Sequence, residues 1–313
     1  MTQRPAPLTG RRILDLSRVL AGPWCTMILA DLGAEVIKVE NPHGGDDTRS
    51  WGPPDAAGES AYYLCANRNK KSVAIDLSCA AGQEAVKAIA ATSDVLVENF
   101  KLGGLDKYGL GYDQLSQQFP GLIYCSISGY GQDGPYANRP GFATIAEVMS
   151  GLSAISGEPD GQPMLPAIAL TDEVTGLVGA FATMVALHSG VGQVVDVSLL
   201  ESLFQIMGPL ISLFRLTGQQ QPRLGTGLPY TVPRGTYRCS DGAWVGLSAS
   251  ADSVAARVNT VLGVGDDPRF SSFSGRMAHR DELEAIMREW CAARPRAEVL
   301  AAFTAAEAAI GPV

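Results

Sequence analysis

The chain has 313 residues, 46% of them hydrophobic and 18% charged, so it can fold around a core without disulfides or metals. Its formal net charge of −8 argues against a nucleic-acid partner, because phosphate neutralisation by Lys and Arg dominates such affinity. No stretch reaches the ~20 uninterrupted apolar residues of a spanning helix, and no apolar run follows the N-terminal arginines as in a secretory signal. We therefore expect a cytoplasmic protein with neither a membrane nor a nucleic-acid partner.

The cysteines and lysines limit the kinds of binding site that the chain can contain. None of the six cysteines forms a CxxC pair, so we expect no metal site of that spacing. They lie in apolar stretches, which is typical of reduced, buried thiols. All six lysines lie in the first third of the chain: Lys38, Lys70, Lys71, Lys87, Lys101 and Lys107. This concentration indicates either a solvated surface or a region that binds an anion.

Short apolar runs alternate with helical patterns in the first half of the chain. The predicted strands cover residues 12–17, 35–40, 72–77, 94–98 and 122–128. Predicted helices over 23–32 and 82–91 lie between them. Strands that alternate with helices predict an α/β fold, with a parallel sheet covered by helices.

The second half predicts more helix and then a change of domain. Helices are predicted at 142–152, 171–188 and 198–216, with a strand at 194–197. Residues 218–233 are rich in Gly, Gln, Pro and Thr and predict a linker. Beyond them, the chain predicts strands at 235–239 and 243–248 and helices at 253–262, 280–293 and from 296 onward. The predicted domains are therefore 1–217, a linker at 218–233, and a small α+β domain at 234–313.

Phosphate-binding and nucleophile motifs are sparse. No GxGxxG follows a strand and no GxxxxGK[ST] occurs, which disfavours an ordinary dinucleotide site. The first strand-to-helix turn still offers backbone N–H groups at a helix start, which suit an anion. Cys25 lies in that helix start, where a thiol is either acidified or a small buried hydrophobic group.

Asp172 is the acid that the pattern singles out. It opens the predicted helix 171–188, directly after the apolar run 165–170. A carboxylate in a first helical turn commonly caps the helix, because the dipole and free N–H groups stabilise it. The same dipole would keep a catalytic carboxylate ionised and nucleophilic. Both interpretations stay open on local sequence alone.

Six segments carry a resemblance to a known family. Their order and spacing resemble those of the class III coenzyme A transferases, the CaiB/BaiF family that includes formyl-CoA and carnitine CoA-transferases, from residue 8 to the end. The segments cover residues 18–42, 67–77, 94–100, 104–112, 128–142 and 192–202. The resemblance implies a Rossmann-like large domain and an interlocked homodimer. It also implies that coenzyme A and acyl-CoA are substrates and that no cofactor is tightly bound.

The family's functional positions transfer residue by residue. The resemblance implies that Asp172 is the nucleophile, which forms an aspartyl anhydride and then a thioester with CoA. The family's CoA-contacting positions match Val19, Leu20, Ala21, Ile75, Asn99, Phe100 and Lys107. Lys101 and Arg139 are further candidates for the CoA phosphates, and backbone N–H groups of residues 129–131 are candidates for the oxyanion. This chain has Lys107 at a position where relatives often have arginine. The lysine keeps the positive charge but cannot bind a phosphate in the bidentate way that arginine does.

Two departures from the family pattern limit the inference. Residues 223–233 read RLGTGLPYTVP, without the glycine run that some relatives place over the active site. Formyl or oxalyl specificity is therefore not expected. The chain ends at AIGPV, where family members typically continue, so we expect the C-terminal return segment of the family to be missing.

Two other functions compete with CoA transfer. The α-methylacyl-CoA racemases resemble the same family but use a histidine in an AGHD-like segment, where this chain reads Pro140-Gly141-Phe142-Ala143. A phenylalanine cannot transfer a proton, which favours a transferase. A non-catalytic protein that binds CoA thioesters is the third hypothesis.

Overall fold

The computed structural model describes residues 5–52 and 58–313, so the first four residues of the N-terminal segment lie outside it. Contacts group the chain into two compact units. The first runs to Leu152 and also includes Leu165–Ile211, and the second comprises Ser153–Met164 and Ser212–Val313. Residues 153–164 join the second unit through Arg223, whose Nη2 donates to the Gly161 carbonyl oxygen at 2.8 Å.

The first unit is built on a six-stranded parallel sheet with strand order β3-β2-β1-β4-β5-β6. Its strands are β1 (Arg12–Asp15), β2 (Glu35–Glu40), β3 (Lys70–Ala74), β4 (Val95–Glu98), β5 (Ile123–Ser128) and β6 (Val194–Ser198). Val95, Leu96 and Val97 are all fully buried, because helices cover both faces of the sheet. The predicted α/β class is confirmed.

Helices connect and cover these strands. In the first unit they are α1 (Ala21–Asp31), α2 (Ala61–Asn67), α3 (Ala80–Ala90), α4 (Tyr112–Gln118), α5 (Ala143–Ser150), α7 (Leu170–Ser189) and α8 (Leu199–Ile206). Helices α6 (Leu152–Ile155) and α9 (Leu210–Thr217) lie mostly in the second unit. The prediction of one helix over 198–216 is wrong, since α8 and α9 are separate. Gly208 lies between them with φ +63, a left-handed conformation that ends a helix.

Helix α7 packs closely on α1 through small residues. A Cβ at Gly176 would lie 2.8 Å from the Ala21 carbonyl oxygen and 2.9 Å from the Trp24 Cβ. Helix α7 is long and apolar enough to cross a membrane by length and composition. Its fully buried Thr175 and Thr183 mark it instead as a core helix of the first unit.

The second unit has a three-stranded antiparallel sheet of order β7-β8-β9. Its strands are β7 (Arg234–Arg238), β8 (Trp244–Ser248) and β9 (Ala309–Pro312), and its helices are α10 (Asp252–Val261), α11 (Phe273–Ala278), α12 (Arg280–Ala292) and α13 (Arg296–Ala305). The fully buried Val245, Met287 and Phe303 belong to its core. The predicted small α+β architecture is confirmed, although β9 was not predicted because its sequence, AIGP, is short and contains Gly and Pro.

The cysteine prediction needs a correction. All six thiols are free, and Cys25, Cys125, Cys239 and Cys291 are buried as expected. Cys65 and Cys79 are exposed. Cys65 lies on the outer face of the short helix α2, which the sequence pattern did not predict, and Cys79 precedes α3.

We expect Gly176→Ala to destabilise the protein by about 1–3 kcal/mol, because the added methyl group overlaps α1. In an uncrowded helix the same change stabilises by about 1 kcal/mol, so the sign of the effect is diagnostic. Urea unfolding measures it. His188→Gln, at an exposed residue in the last turn of α7, is the control and should change stability by less than about 0.5 kcal/mol. A stabilised Gly176→Ala variant would contradict the close packing.

Candidate active site

A cavity of about 700 Å³ lies at the carboxyl edge of the parallel sheet, where the strand order reverses between β1 and β4. The segments that follow β1 and β4 and the end of β5 line it with residues 18–21, 99–102 and 127–129. The segment 137–143, Asp172 and Leu199 complete the lining. Ligands of open parallel sheets bind at this kind of reversal, because the loops diverge there and leave a crevice.

The cavity brings together most of the predicted site residues. Those that line it are Val19, Leu20, Ala21, Asn99, Phe100, Lys101, Arg139 and Asp172. Ile75 lines a neighbouring cavity of about 460 Å³, and Arg18 and Phe100 line both. Lys107 lines neither, but its Nζ lies 4.5 Å from the ring centroid of Tyr108, which lines the smaller cavity. The ten predicted positions therefore lie in or beside two adjoining cavities of the first unit.

Asp172 is not the cap of its helix. The N-cap position of α7 is Ala169, and no side chain caps that end. Among the described residues, burial and the charges of Glu147 and Glu173 raise the Asp172 pKa to about 6, with no hydrogen bond to lower it. Burial thus outweighs the helix dipole, yet the carboxylate is still mostly ionised above pH 7. A carboxylate without hydrogen-bond partners keeps its lone pairs available for attack on an electrophile.

Glu147 is a buried acid near Asp172 that the sequence analysis did not single out. It lies on α5 with 4% of its surface exposed. Its Oε1 accepts a hydrogen bond from Thr171 Oγ1 at 3.0 Å, directly before Asp172 in the chain. A glutamate within the apolar helical pattern 142–152 was the available signal, because such a residue is rarely buried without a specific partner.

Glu98 shapes the segment that follows β4. Its carboxylate accepts hydrogen bonds from the Phe100 backbone N–H at 2.7 Å and from the Ser126 hydroxyl. Burial raises the Glu98 pKa to about 7. By binding the Phe100 amide, Glu98 fixes the course of the chain along the cavity.

The side chain of Asn99 is occupied within the protein. Its Oδ1 accepts from the Arg18 N–H at 2.8 Å, and its Nδ2 donates to the Arg18 carbonyl oxygen at 2.7 Å. Both polar atoms of the amide therefore bind the loop between β1 and α1. These two hydrogen bonds leave one Nδ2 proton and one Oδ1 lone pair of the Asn99 amide for a ligand.

Two of the early lysines fit neither predicted interpretation. Lys38 is fully buried, and its Nζ lies 2.9 Å from Asp46 Oδ2. Lys70 Nζ lies 3.0 Å from the buried Asp15, and both side chains are almost fully inaccessible. These ammonium groups are neutralised inside the protein, so they are neither solvated surface charges nor free anion binders.

Exposed cations remain at the cavity. The side chains of Lys101 and Arg139 are exposed, and Arg139 Cζ lies 4.0 Å from the Tyr136 ring centroid. Arg18, which the sequence analysis missed as a separate candidate, lies 5.7 Å from the Phe100 ring centroid. Three cationic side chains at one crevice suit an anionic ligand such as a polyphosphate.

The predicted oxyanion donors are only partly available. Gly129 lines the cavity, whereas the Gly131 N–H already donates to Ser128 Oγ at 2.9 Å. Within the described residues of the first unit, neither His43 nor His188 lines the cavity of Asp172. Phe142 does, with 73% of its surface exposed. The cavity thus combines a buried carboxylate with cations, without an imidazole from this unit.

Comparison with known proteins identifies the family. The model of CoA-transferase family III matches residues 8–313. The chain belongs to this family. The succinate–glutarate CoA-transferase of Agrobacterium fabrum is 43% identical over 92% of this chain and 75% of that protein. The succinyl-CoA–D-citramalate CoA-transferase of Chloroflexus aurantiacus is 40% identical over 91% of this chain and 73% of that protein.

Solved structures agree with this assignment. A CaiB/BaiF family protein from Brucella suis is 38% identical, covers 99% of this chain and 84% of its own, and superposes with a TM-score of 0.86. Rv3272 from Mycobacterium tuberculosis gives 30% identity and a TM-score of 0.85, over 99% of this chain and 84% of that one. The protein is a CoA-transferase, and the family prediction is confirmed.

We expect Asp172→Asn to stabilise this CoA-transferase at pH 8 by about 2 kcal/mol. The Asp172 pKa is about 6 in the folded protein and 3.8 ordinarily, so ionisation costs stability above pH 6 and not below pH 4. Urea unfolding from pH 4 to pH 8 should therefore show the gain appearing between these values. Asp133→Asn, at an exposed aspartate, is the control without such a gain. Equal stability of Asp172→Asn and the unmodified chain at pH 8 would contradict the raised pKa.

Proposed function

We propose that this CoA-transferase moves coenzyme A from an acyl-CoA to a carboxylic acid through covalent intermediates on Asp172. The observation that carries the proposal is the Asp172 carboxylate, which lies in the 700 Å³ cavity and accepts no hydrogen bond from residues 5–52 or 58–313. It shares that cavity with five of the seven residues that the family resemblance implies for CoA binding, and with the two further phosphate candidates, Lys101 and Arg139.

The proposed reaction begins with attack of the Asp172 carboxylate on the thioester carbonyl carbon. The C–S bond breaks, CoA leaves as its thiolate, and Asp172 becomes a mixed anhydride. The thiolate then attacks the aspartyl carbonyl, which releases the donor acid and leaves Asp172 as a CoA thioester. The acceptor carboxylate attacks this thioester in the same way, and the returning thiolate takes the acceptor acyl group and frees Asp172.

This chemistry fits the groups that line the cavity. A carboxylate is nucleophilic once ionised and needs no general base, which agrees with the absence of His43 and His188 from the lining. Glu147 and Glu173 lie near enough to raise the Asp172 pKa, and their repulsion is relieved when Asp172 becomes a neutral anhydride. The Gly129 backbone is the candidate for stabilising the oxyanion.

The two adjoining cavities support an extended CoA molecule. We infer that the thioester end lies beside Asp172 and that the nucleotide end lies in the 460 Å³ cavity near Ile75. Arg18 lines both cavities, so its guanidinium suits a phosphate between the two ends. Lys101 and Arg139 are the further phosphate candidates, and Lys107 lies beside the smaller cavity.

Small dicarboxylic acids are the proposed acyl groups, with succinyl-CoA as donor. The names of the relatives from Agrobacterium fabrum and Chloroflexus aurantiacus contain succinate, glutarate and citramalate, all of which carry two carboxylates. We also propose a cytoplasmic homodimer. The exposed apolar side chains of Leu177, Phe181 and Val185 recur every fourth residue on α7 and support burial against a second copy.

Asp172→Ala should abolish transfer, with activity reduced at least about 1,000-fold, while CoA binding persists. Incubation of the unmodified protein with succinyl-CoA and hydroxylamine should convert the Asp172 carboxyl to a hydroxamate, visible by peptide mass. Glu173→Gln is the matched control in the same helical turn and should still acquire the hydroxamate at Asp172. Retained turnover in Asp172→Ala would refute the nucleophile assignment.

Donor and acceptor specificity is tested by pairing succinyl-CoA with a panel of carboxylic acids. We expect dicarboxylic acceptors to exceed monocarboxylic acids of equal length by about tenfold in kcat/KM, because a second charge adds a contact with a cation. Deuterium incorporation at the α-carbon of a branched acyl-CoA in D₂O, without transfer, would instead favour the racemase. CoA binding without either reaction would favour the non-catalytic hypothesis.

A further inference from the structure

The loop between β1 and α1 contains an unusual backbone conformation. Val19 has φ +68, which lies in the left-handed region. Glycine adopts this region readily, but a β-branched side chain is disfavoured there because its Cβ substituents crowd the backbone. Only Asn69 and Glu307 share a positive φ among the other non-glycine residues that the structure describes. Such conformations persist when surrounding contacts hold them, and they cluster at functional sites.

Side chains from two other loops hold this segment, residues 17–20. The Asp46 carboxylate accepts a hydrogen bond from the Val19 N–H, at 3.2 Å to Oδ2 and 3.3 Å to Oδ1. Asn99 binds both the N–H and the carbonyl oxygen of Arg18. The peptide groups on either side of Arg18 are therefore fixed from outside the loop.

Asp46 is itself held rigidly. It is 1% exposed, and Lys38 Nζ lies 2.9 Å from its Oδ2. Its Oδ1 accepts from the Thr48 N–H at 3.0 Å and from Thr48 Oγ1 at 2.7 Å. Lys38 Nζ also donates to the Ser17 carbonyl oxygen at 2.8 Å. One buried ion pair thus contacts the strained segment at two points, Ser17 and Val19.

The segment 17–20 leads directly into the active-site cavity. Val19, Leu20 and Ala21 line this cavity together with Asp172. Ala21 is also where α1 meets α7, since its carbonyl oxygen lies against Gly176. Because helix packing fixes the chain from Ala21 onward, a change of φ at Val19 would be absorbed by residues 18–20 and would move Val19 and Leu20 relative to Asp172.

We propose that Asp46 is a positioning residue whose buried carboxylate, paired with Lys38, holds Val19 in the left-handed conformation and so sets the Val19–Leu20 edge of the CoA site. The proposal rests on the proposed function only in assigning that edge to CoA. Asp46 and Lys38 line the smaller cavity but not the cavity of Asp172, so Asp46 acts on the reacting end through the loop and not by contact with the reacting atoms.

A double-mutant cycle between Asp46 and Val19 tests this proposal. Asp46→Ala should raise the Kd for CoA, measured by calorimetry, and the KM for succinyl-CoA about tenfold, with a smaller effect on kcat. In a Val19→Gly background, Asp46→Ala should raise the same Kd and KM less than about threefold, because glycine adopts a positive φ without support. Hydrogen exchange of the peptide that contains residues 17–22 should accelerate in Asp46→Ala and much less in the double variant.

A merely structural role for Asp46 predicts a different result. Loss of the ion pair would then change Kd, KM and hydrogen exchange by the same factors in the unmodified chain and in Val19→Gly. Equal changes in these two backgrounds would overturn the proposal. If Asp46→Ala does not fold because Lys38 is left unpaired, Lys38→Met/Asp46→Ala removes both charges and enters the same cycle.

Controls separate this proposal from the proposed function. Asp252→Asn in the second unit removes the carboxylate partner of the buried Arg276 and should lower thermal stability without raising the Kd for CoA. Retained transfer by Asp172→Ala would refute the covalent mechanism and leave the cycle interpretable. Equal penalties with and without Val19→Gly would refute the positioning role and leave the covalent mechanism intact.

Discussion

The close approach of α1 and α7 is the constraint on which the active site depends. Gly176 lets the two helix backbones approach so that the Ala21 carbonyl oxygen lies against α7. This contact holds the beginning of α1 and the first turn of α7 in one cavity, although Asp172 follows the β1–α1 loop by some 150 residues of chain. The parallel sheet contributes the crevice, since its order reverses between β1 and β4.

Burial of the Asp172 carboxylate opposes stability. Desolvation and the neighbouring Glu147 and Glu173 raise its pKa, so the charged form is held at a cost in free energy. In the mechanism that we propose, attack on a thioester moves this charge from Asp172 to the departing CoA thiolate. The same unfavourable burial that weakens the folded state would then lower the barrier to the proposed covalent step, a common conflict between stability and function.

The parts of the fold that depend on local patterns could be predicted from the sequence. The strand at residues 35–40 was predicted with its observed bounds, because Val36, Ile37 and Val39 form a short run of β-branched apolar residues, which is typical of a buried strand. The break between α8 and α9 was missed, since Gly208 is a lone glycine within an apolar helical pattern and becomes decisive only through its left-handed φ. The short helices α2 and α4 likewise fall below the length at which periodicity is informative.

The candidate site also contains residues that the sequence could indicate and residues that it could not. Asp172 and the residues after β1 and β4 could be named because the family resemblance reaches them directly. Glu147 could not be named, because the feature that places it near Asp172 is its hydrogen bond with Thr171, which lies 24 residues further along the chain. The lysines of the first third show the limit of composition most clearly. Lys38 and Lys101 are indistinguishable as charges in the sequence, yet one neutralises a buried aspartate and the other lies exposed at the cavity.

Burial therefore decides what each of these charges does. At the surface an ion pair contributes little, because water and salt screen it. Inside the first unit, Lys38 and Asp46 have no competing solvent, so their geometry is transmitted to the backbone they touch. A strained Val19 is tolerated because the pair and Asn99 hold it more strongly than its own preferences oppose it. The acidic chain thus places its lysines in two settings: the buried Lys38 ammonium group supports the loop, and the exposed Lys101 is available to the phosphates of CoA in the site that we propose.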